Sequence, residues 1–209
     1  NTREALYAAF RRKETFATSG PRIRVRFFAG YGLGIDALDD LDSLRIAYDR
    51  AVTMGSNLTV LGEHSPEFLL WAARDANSAK LQRLQIIKGW LENGKAHEKV
   101  FDVACSDGGM VDSTNYRCPD NGARVDKDTC AISQGVGAGE LSGLWRDPEY
   151  DPGQRAFYYV RVLENPTCRW STWDAIRADE QPRSDLHKTL QERAWSSPIW
   201  YRPDTTEVL

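Results

Sequence analysis

Histidine is scarce in this chain, which limits the chemistry that the chain can perform by itself. Only three are present among 209 residues, and these are His64, His97 and His187. A multinuclear hydrolytic centre needs several histidines and carboxylates that converge on two or more cations, and a serine triad needs a histidine beside its nucleophile. Because the three histidines form no such motif, we expect neither a self-sufficient metallohydrolase nor a triad hydrolase.

A strong charge of one sign and a long apolar run are also missing. The formal net charge is −3, and Lys and Arg are interspersed with Asp and Glu, so there is no basic footprint for nucleic acid. No apolar run approaches the roughly 20 residues that a membrane-spanning helix needs. We therefore expect no nucleic-acid partner and no membrane insertion, and small or neutral partners fit this composition better.

The chain has no initiator Met and no charged-then-apolar leader. It begins at Asn1, and the opening residues already read as the start of a helix. We therefore expect that an upstream segment of a larger protein has been removed, and that this segment held the chemistry.

Cysteine is sparse but even in number, with four residues in the chain. Cys105, Cys118 and Cys130 lie in a Gly-, Asp- and Asn-rich stretch, and Cys168 follows it. Zinc is disfavoured because there is no Cys-x-x-Cys pair and no histidine at a ligand-like spacing from a cysteine. Disulfides are the main prediction and free buried thiols the alternative, with three connectivities open for two disulfides.

Alternation of apolar and polar residues is the dominant pattern in what is present. A helix is predicted over residues 2–13, capped by Asn1 or Thr2. Strands are predicted at residues 14–18, 22–28, 68–74, 83–90, 97–104, 141–146, 155–164 and 194–201. This many strands with little helix after residue 13 predicts a mostly β fold, an antiparallel β-sandwich with an N-terminal helix and long loops.

The segments between these runs give the expected connections. Turn-forming residues at 75–78 and 92–95 predict hairpins, and hence an antiparallel meander over residues 68–104. Residues 29–66 read as a long irregular connection with a short helix near 44–51, and residues 105–139 read as a long loop that cysteines can pin.

Tryptophans near the C-terminus are candidates for ligand binding, because a large flat ring can stack on a sugar. Trp170 and Trp173 are the main candidates, and Trp195 and Trp200 lie in the last predicted strand. The alternative is packing, with Trp195 and Trp200 anchoring that strand and Trp170 and Trp173 fastening a loop onto the sheet. A binding platform predicts two or more coplanar, exposed rings on one face, whereas burial of all four would argue against it.

Several stretches resemble known families. Residues 1–23, Asn-Thr-Arg-Glu-Ala-Leu-Tyr-Ala-Ala-Phe-Arg-Arg-Lys-Glu-Thr-Phe-Ala-Thr-Ser-Gly-Pro-Arg-Ile, resemble the last helix and strand of a barrel in the polymerase-and-histidinol-phosphatase (PHP) superfamily of metal-dependent phosphoesterases. Residues 68–104, 157–164, 166–172 and 191–201 resemble the C-terminal portion of the bacterial family of unknown function DUF3604.

The resemblance implies that residues 1–20 are the remnant helix and strand of an upstream β/α barrel, and that residues 21–209 form a β-sandwich-like C-terminal domain. It implies a non-catalytic accessory domain of a PHP-like hydrolase, with the upstream barrel as its partner and a substrate that stays unknown. Divalent metals are expected only in that barrel, with no cofactor or metal in this chain. The alternative function is a carbohydrate- or ligand-binding β-sandwich module.

The resemblance also places Thr18, Ser19 and Gly20 at the rim of the barrel. There they could contact a substrate phosphate through hydroxyl and backbone N–H groups, or they could form a simple tight turn between barrel and sandwich. Members of the family are often exported, which together with the cysteines implies an extracytoplasmic location in the bacterial periplasm.

Overall fold

A computed structural model describes residues 2–38, 40–59 and 64–203. Its helices are α1 (Arg3–Arg12), α2 (Leu41–Arg50) and α3 (Trp170–Arg177). The strands are β1 (Phe16–Thr18), β2 (Arg24–Gly30), β3 (Val52–Thr53), β4 (Asn57–Thr59), β5 (Glu67–Ala73), β6 (Leu81–Glu92), β7 (Lys95–Cys105), β8 (Glu140–Arg146), β9 (Ala156–Glu164), β10 (Thr167–Cys168), β11 (Thr189–Leu190), β12 (Arg193–Ser196) and β13 (Ile199–Arg202).

Most strands belong to two sheets. In the larger, seven-stranded sheet, β9 is central: β6 pairs with one side of it, and β12 and β13 pair with different parts of its other side. Strand β7 extends this sheet beyond β6, β1 pairs with β12, and β4 pairs with β13. The smaller sheet has the order β3-β2-β5-β8. All these pairs are antiparallel except β13 with β4.

The main hydrophobic core lies between the two sheets. It combines Phe27 and Phe68 of the smaller sheet with Ile86, Tyr158 and other buried residues of the larger one. Successive side chains of a strand point to opposite faces of its sheet, and this explains how β9 contributes to the core. Its even-numbered residues are buried and its odd-numbered residues are half-buried. The mostly β, sandwich-like fold predicted from the sequence is confirmed, with its N-terminal helix and long loops.

Helix α2 covers the outer face of the smaller sheet. A second cluster joins Phe28 and Leu69 of that sheet to Ala47 of the helix. The helix begins with a capping box, in which the Asp40 carboxylate accepts the Ser43 N–H at 2.6 Å. This hydrogen bond is the main reason that the pKa of Asp40 lies below its ordinary value. The short helix predicted near residues 44–51 is confirmed, although it begins three residues earlier, at Leu41.

Helix α1 is confirmed near its predicted bounds. Thr2 is its N-cap and accepts the N–H of Ala5, whereas Asn1, the other predicted cap, lies outside the described residues. The predicted strand over residues 14–18 is observed as β1, and it pairs with β12 in the larger sheet.

Three predictions about strands and their connections need correction. The meander over residues 68–104 fails because β5 pairs with β2 and β8 of the smaller sheet, while β6 and β7 form a hairpin in the larger one. The predicted strand at residues 194–201 is two strands, β12 and β13, separated by Ser197 and Pro198. The irregular segment 29–66 holds β3 and β4 besides its helix.

Candidate functional site

Residues from two of the sequence predictions, the cysteines and the tryptophans, meet at one cleft of about 530 Å³. The cleft lies beyond the end of β1, beside the turn between β5 and β6 and next to α3. Its lining includes Pro21, which follows the predicted rim residues, together with Cys130, Cys168 and Trp173. Polar side chains of the lining belong to Arg74, Asn77, Ser78, Gln134, Thr167 and Glu192.

The predicted rim residues Thr18, Ser19 and Gly20 do not line this cleft, and Ser19 reaches it only through its bond to Glu192. Thr18 is the last residue of β1 and pairs with Ala194. The Ser19 hydroxyl donates to the Glu192 carboxylate and accepts the N–H of Arg193 at 2.9 Å. The Ser19 N–H in turn donates to the Arg193 carbonyl at 3.0 Å. Ser19 therefore extends the pairing of β1 with β12, and it positions Glu192 at the edge of the cleft.

One wall of the cleft is the turn between β5 and β6. Asp75 organises this turn, because its carboxylate accepts the N–H of Arg22 at 2.8 Å and the N–H of Asn77 at 2.9 Å. These hydrogen bonds, with that from Arg22 first, lower the pKa of Asp75 below its ordinary value. The Arg74 guanidinium donates to the Ser78 carbonyl at 3.3 Å. The turn is thus fixed to the start of β2, and it presents its polar side chains to the cleft.

Glu164 lies beneath this wall and is fully buried. One carboxylate oxygen accepts the Ser78 hydroxyl at 2.5 Å, and the other, Oε1, has no partner among the described residues. Burial is the main cause that raises the pKa of Glu164 to about 7, and the neighbouring Glu192 and Asp75 carboxylates add to the effect. This residue could not be predicted from the sequence, because a glutamate at the end of a strand looks like any surface residue.

The opposite wall is α3, which corrects the prediction that Trp170 and Trp173 lie in a loop. Arg169 precedes the helix without a side-chain cap, so the usual sequence signal for a helix start is missing. The Thr172 hydroxyl fixes the helix by donating to the Lys188 carbonyl at 2.9 Å. Trp170 and Trp173 are 71% and 38% exposed, and only Trp173 lines the cleft.

Both disulfides predicted from the even cysteine number are present. Cys130 pairs with Cys168 and ties the long loop to β10 at the side of the cleft. Cys105 pairs with Cys118 and closes the start of the same loop at the end of β7. The buried carboxylate of Asp102 supports this second region, since it accepts the Cys118 N–H at 2.7 Å. The long loop is therefore pinned at two places.

The other two tryptophans lie in the larger sheet. Trp195 is half-buried and pairs with Arg161 of β9, and Trp200 is 38% exposed with its ring centroid 5.3 Å from that of Phe157. Trp200 lines a separate groove of about 790 Å³. Complete burial of the four tryptophans, which would have argued against ligand stacking, is not observed.

Within residues 2–38, 40–59 and 64–203, no three or more His, Cys, Asp or Glu side chains are grouped so that they could hold a metal ion. None of the described helices is long and apolar enough to cross a bilayer.

The two-sheet architecture and the disulfide-bounded cleft define the chain as a β-sandwich-like domain with a polar surface cleft. Residues 1–203 match the family model described as "Protein of unknown function (DUF3604)", and the chain belongs to that family. Comparison with curated proteins gave no significant match, and neither did comparison with solved structures.

Proposed function

We propose that this chain is a non-catalytic accessory domain of a PHP-like metal-dependent hydrolase of the phosphoesterase class, and that it packs on an upstream barrel through α1. The surface of α1 carries the proposal, because this helix buries none of its residues. Leu6, Tyr7 and Phe10 are 54%, 63% and 69% exposed. Their spacing places them side by side on the helix, so they form an apolar face suited to a neighbouring domain.

The attachment of α1 to the rest of the fold supports this docking role. A Cβ atom at Gly55 would lie 2.4 Å from the Lys13 carbonyl oxygen, so only glycine permits this close approach of the two backbones. The Gly55 N–H donates to the Pro198 carbonyl at 2.9 Å. The C-terminal end of α1 is therefore fixed to the larger sheet while its apolar face stays open. A helix of this length is marginal in water without such a partner.

Under this proposal the upstream barrel binds the divalent metals that activate water, and this chain binds no cofactor. A rim position for Thr18, Ser19 and Gly20 would require the strand after α1 to run toward the C-terminal face of the barrel, whereas that strand, β1, pairs with β12 of the larger sheet. The bonds of Ser19 to Glu192 and Arg193 favour the tight-turn role for its side chain. We further propose the bacterial periplasm as the location, supported by two disulfides that an oxidising compartment would preserve.

Hydrogen–deuterium exchange tests the docking of α1. The amide groups of residues 3–12 are expected to exchange at least about tenfold more slowly in the full-length protein than in the isolated chain, because docking stabilises a helix that otherwise frays. Replacing Phe10 by Glu should restore fast exchange in the full-length protein. Leu41→Glu is the matched control, since Leu41 is 83% exposed on another helix, and it should leave exchange in α1 unchanged. Equal protection of α1 in both proteins would overturn the proposal.

The proposed non-catalytic role is tested by assaying the isolated chain with manganese, zinc and iron against phosphomonoesters and phosphodiesters. We expect no turnover, since the proposed metal-binding barrel is absent from this sample. Turnover that persists through purification at a constant specific activity would show that the chain is an enzyme in its own right.

A further inference from the structure

The cleft beside α3 combines an aromatic ring with planar polar groups whose hydrogen-bonding capacity is largely unused. Glu192 accepts the Ser19 hydroxyl through Oε2, and its Oε1 has no partner within the described ranges. The Gln134 amide makes one long contact, 3.5 Å, to the Ile132 carbonyl. Arg74 uses a single nitrogen, on the Ser78 carbonyl. The cleft therefore offers both donors and acceptors to a ligand.

The walls of the cleft are fixed before any ligand binds. The Cys130–Cys168 disulfide holds the loop that carries Gln134. The two backbone hydrogen bonds to Asp75 hold the turn that carries Arg74, and the Thr172 hydroxyl holds α3. A site whose groups are already ordered loses less conformational entropy on binding.

The exposed tryptophans of α3 have no role in the core. Thr172 is the only buried residue of this helix, and Trp170 and Trp173, three positions apart, lie on the same side of it. An exposed pair of large apolar rings beside a polar cleft marks an interaction site, because hydration of such surface is unfavourable. Arg177 lies 5.3 Å from the centroid of the Trp173 ring and restricts the orientation of that ring.

The charges around the cleft favour a neutral ligand. Arg74 is the cationic side chain of the lining and Glu192 the anionic one, so the two charges offset each other. The carboxyl groups of Asp75 and the buried Glu164 lie close enough to interact electrostatically with Arg74, and they would oppose a phosphate further. An anion site would instead need several converging cations or a row of free N–H groups.

We propose that this cleft binds a neutral carbohydrate. Vicinal hydroxyl groups match the paired donors and acceptors of guanidinium, amide and carboxylate groups, and the C–H face of a pyranose can pack on the Trp173 ring as apolar surfaces do. Trp170 lies one turn earlier and extends the platform for a second sugar unit. This inference does not depend on an upstream barrel, because every group named belongs to this chain.

Titration of the 209-residue chain with defined neutral oligosaccharides tests the inference. The panel contains malto-, cello-, xylo- and manno-oligosaccharides, with inorganic phosphate as the anionic comparison, and binding is followed by calorimetry and saturation-transfer NMR. At least one oligosaccharide is expected to bind. Trp173→Ala should weaken it by about fivefold or more, while Trp173→Phe should keep part of the affinity.

Trp200→Ala is the matched control, because Trp200 has the same exposed fraction as Trp173, 38%, and lies in a different groove. It should leave the affinity unchanged, and near-ultraviolet circular dichroism should show that both variants fold. The proposal is overturned by the absence of binding across the panel, by binding of phosphate alone, or by an equal loss of affinity in Trp173→Ala and Trp200→Ala.

Discussion

Asp147 and Glu164 are both buried carboxylates, yet their surroundings differ. Lys88 lies 2.6 Å from Asp147, both side chains are almost fully buried, and the Tyr158 hydroxyl donates to the same carboxylate at 2.8 Å. Burial, and then the charge of Asp147, raises the pKa of Tyr158 above its ordinary value. Glu164 forms no ion pair with a described residue, and its burial is offset mainly by the Ser78 hydroxyl, with a smaller contribution from the charge of Arg74. A buried charge without a paired cation is costly, and Glu164 therefore takes up a proton near neutral pH.

Replacing Glu164 by Gln is expected to change how stability depends on pH. Its pKa of about 7 in the folded state lies above the ordinary value of 4.5, so the folded protein binds this proton more tightly than the unfolded chain does. The stability that the proton contributes is complete below the ordinary pKa and is lost as the pH rises through 7. Between about pH 5 and about pH 8.5, the free energy of unfolding should therefore fall more in the wild type than in the variant. Urea unfolding at several pH values measures this difference.

Glu180→Gln serves as the control, because it removes the same charge at an exposed position on the segment that follows α3. Its unfolding curves should keep the pH dependence of the wild type. Parallel curves for Glu164→Gln and the wild type would show that Glu164 is already ionised throughout this range.

At the scale of elements, strand positions could be predicted where alternation was strong. Residues 141–146 and 155–164 were predicted within one residue of β8 and β9. Which strands pair with one another could not be predicted, because the turn at Asp75 has the same composition whether it closes a hairpin or crosses between sheets. Helix α3 was missed because its first turn has no capping side chain. The break at Pro198 was missed because the residues on both sides of it favour strands.

The candidate site shows the same limit. Trp173, Cys130 and Cys168 could be singled out by residue type, but their meeting at one cleft depends on the Cys130–Cys168 disulfide. The link from Ser19 to this cleft, through Glu192, depends on the pairing of β1 with β12. Three cysteine pairings were equally consistent with the sequence. Arg74, Gln134 and Glu192 carried no signal, since their role comes only from where the fold places them.

The two disulfides are expected to differ in what they stabilise. Cys130–Cys168 closes 38 residues and Cys105–Cys118 closes 13, so loss of chain entropy predicts contributions of about 4 and about 3 kcal/mol. Replacing the first pair by Ala should also free the loop beside α3, and limited proteolysis between Cys118 and Cys130 should become faster. Guanidinium unfolding of the two double variants gives the stability comparison.

Because both variants remove two thiols and one crosslink, each is the matched control for the other. The prediction requires the larger loss and the new cleavage in the Cys130→Ala, Cys168→Ala variant. A larger loss of stability on removal of Cys105–Cys118 would contradict this prediction. It would mean that the hydrogen bonds around Asp102 depend more on the Cys105–Cys118 disulfide than the cleft depends on Cys130–Cys168.

At the scale of the whole molecule, the two sheets share one core. Strand β1 belongs to the larger sheet because it pairs with β12. The β1 region contributes three hydrogen-bonded links to the C-terminal strands: β1 pairs with β12, the Ser197 N–H donates to the Thr15 carbonyl at 2.9 Å, and the Ser19 N–H donates to the Arg193 carbonyl at 3.0 Å. Helix α1 buries nothing of its own. The division after residue 20 that the PHP resemblance implies thus falls between a strand and the sheet that holds it.

Two truncations test where the folding unit begins. A chain that starts at Lys13 loses only α1 and is expected to unfold within about 1 kcal/mol of the full chain, since exposed segments contribute little. A chain that starts at Pro21 also loses β1 and the Ser19 bonds, and it leaves β12 as a free edge. Each lost hydrogen bond contributes about 0.5–1.5 kcal/mol, so we expect a further loss of at least about 2 kcal/mol in urea unfolding. Equal stability of the two truncated chains would instead exclude β1 from the folding unit and place its start at Pro21, because a strand that belongs to this sheet cannot be removed without cost.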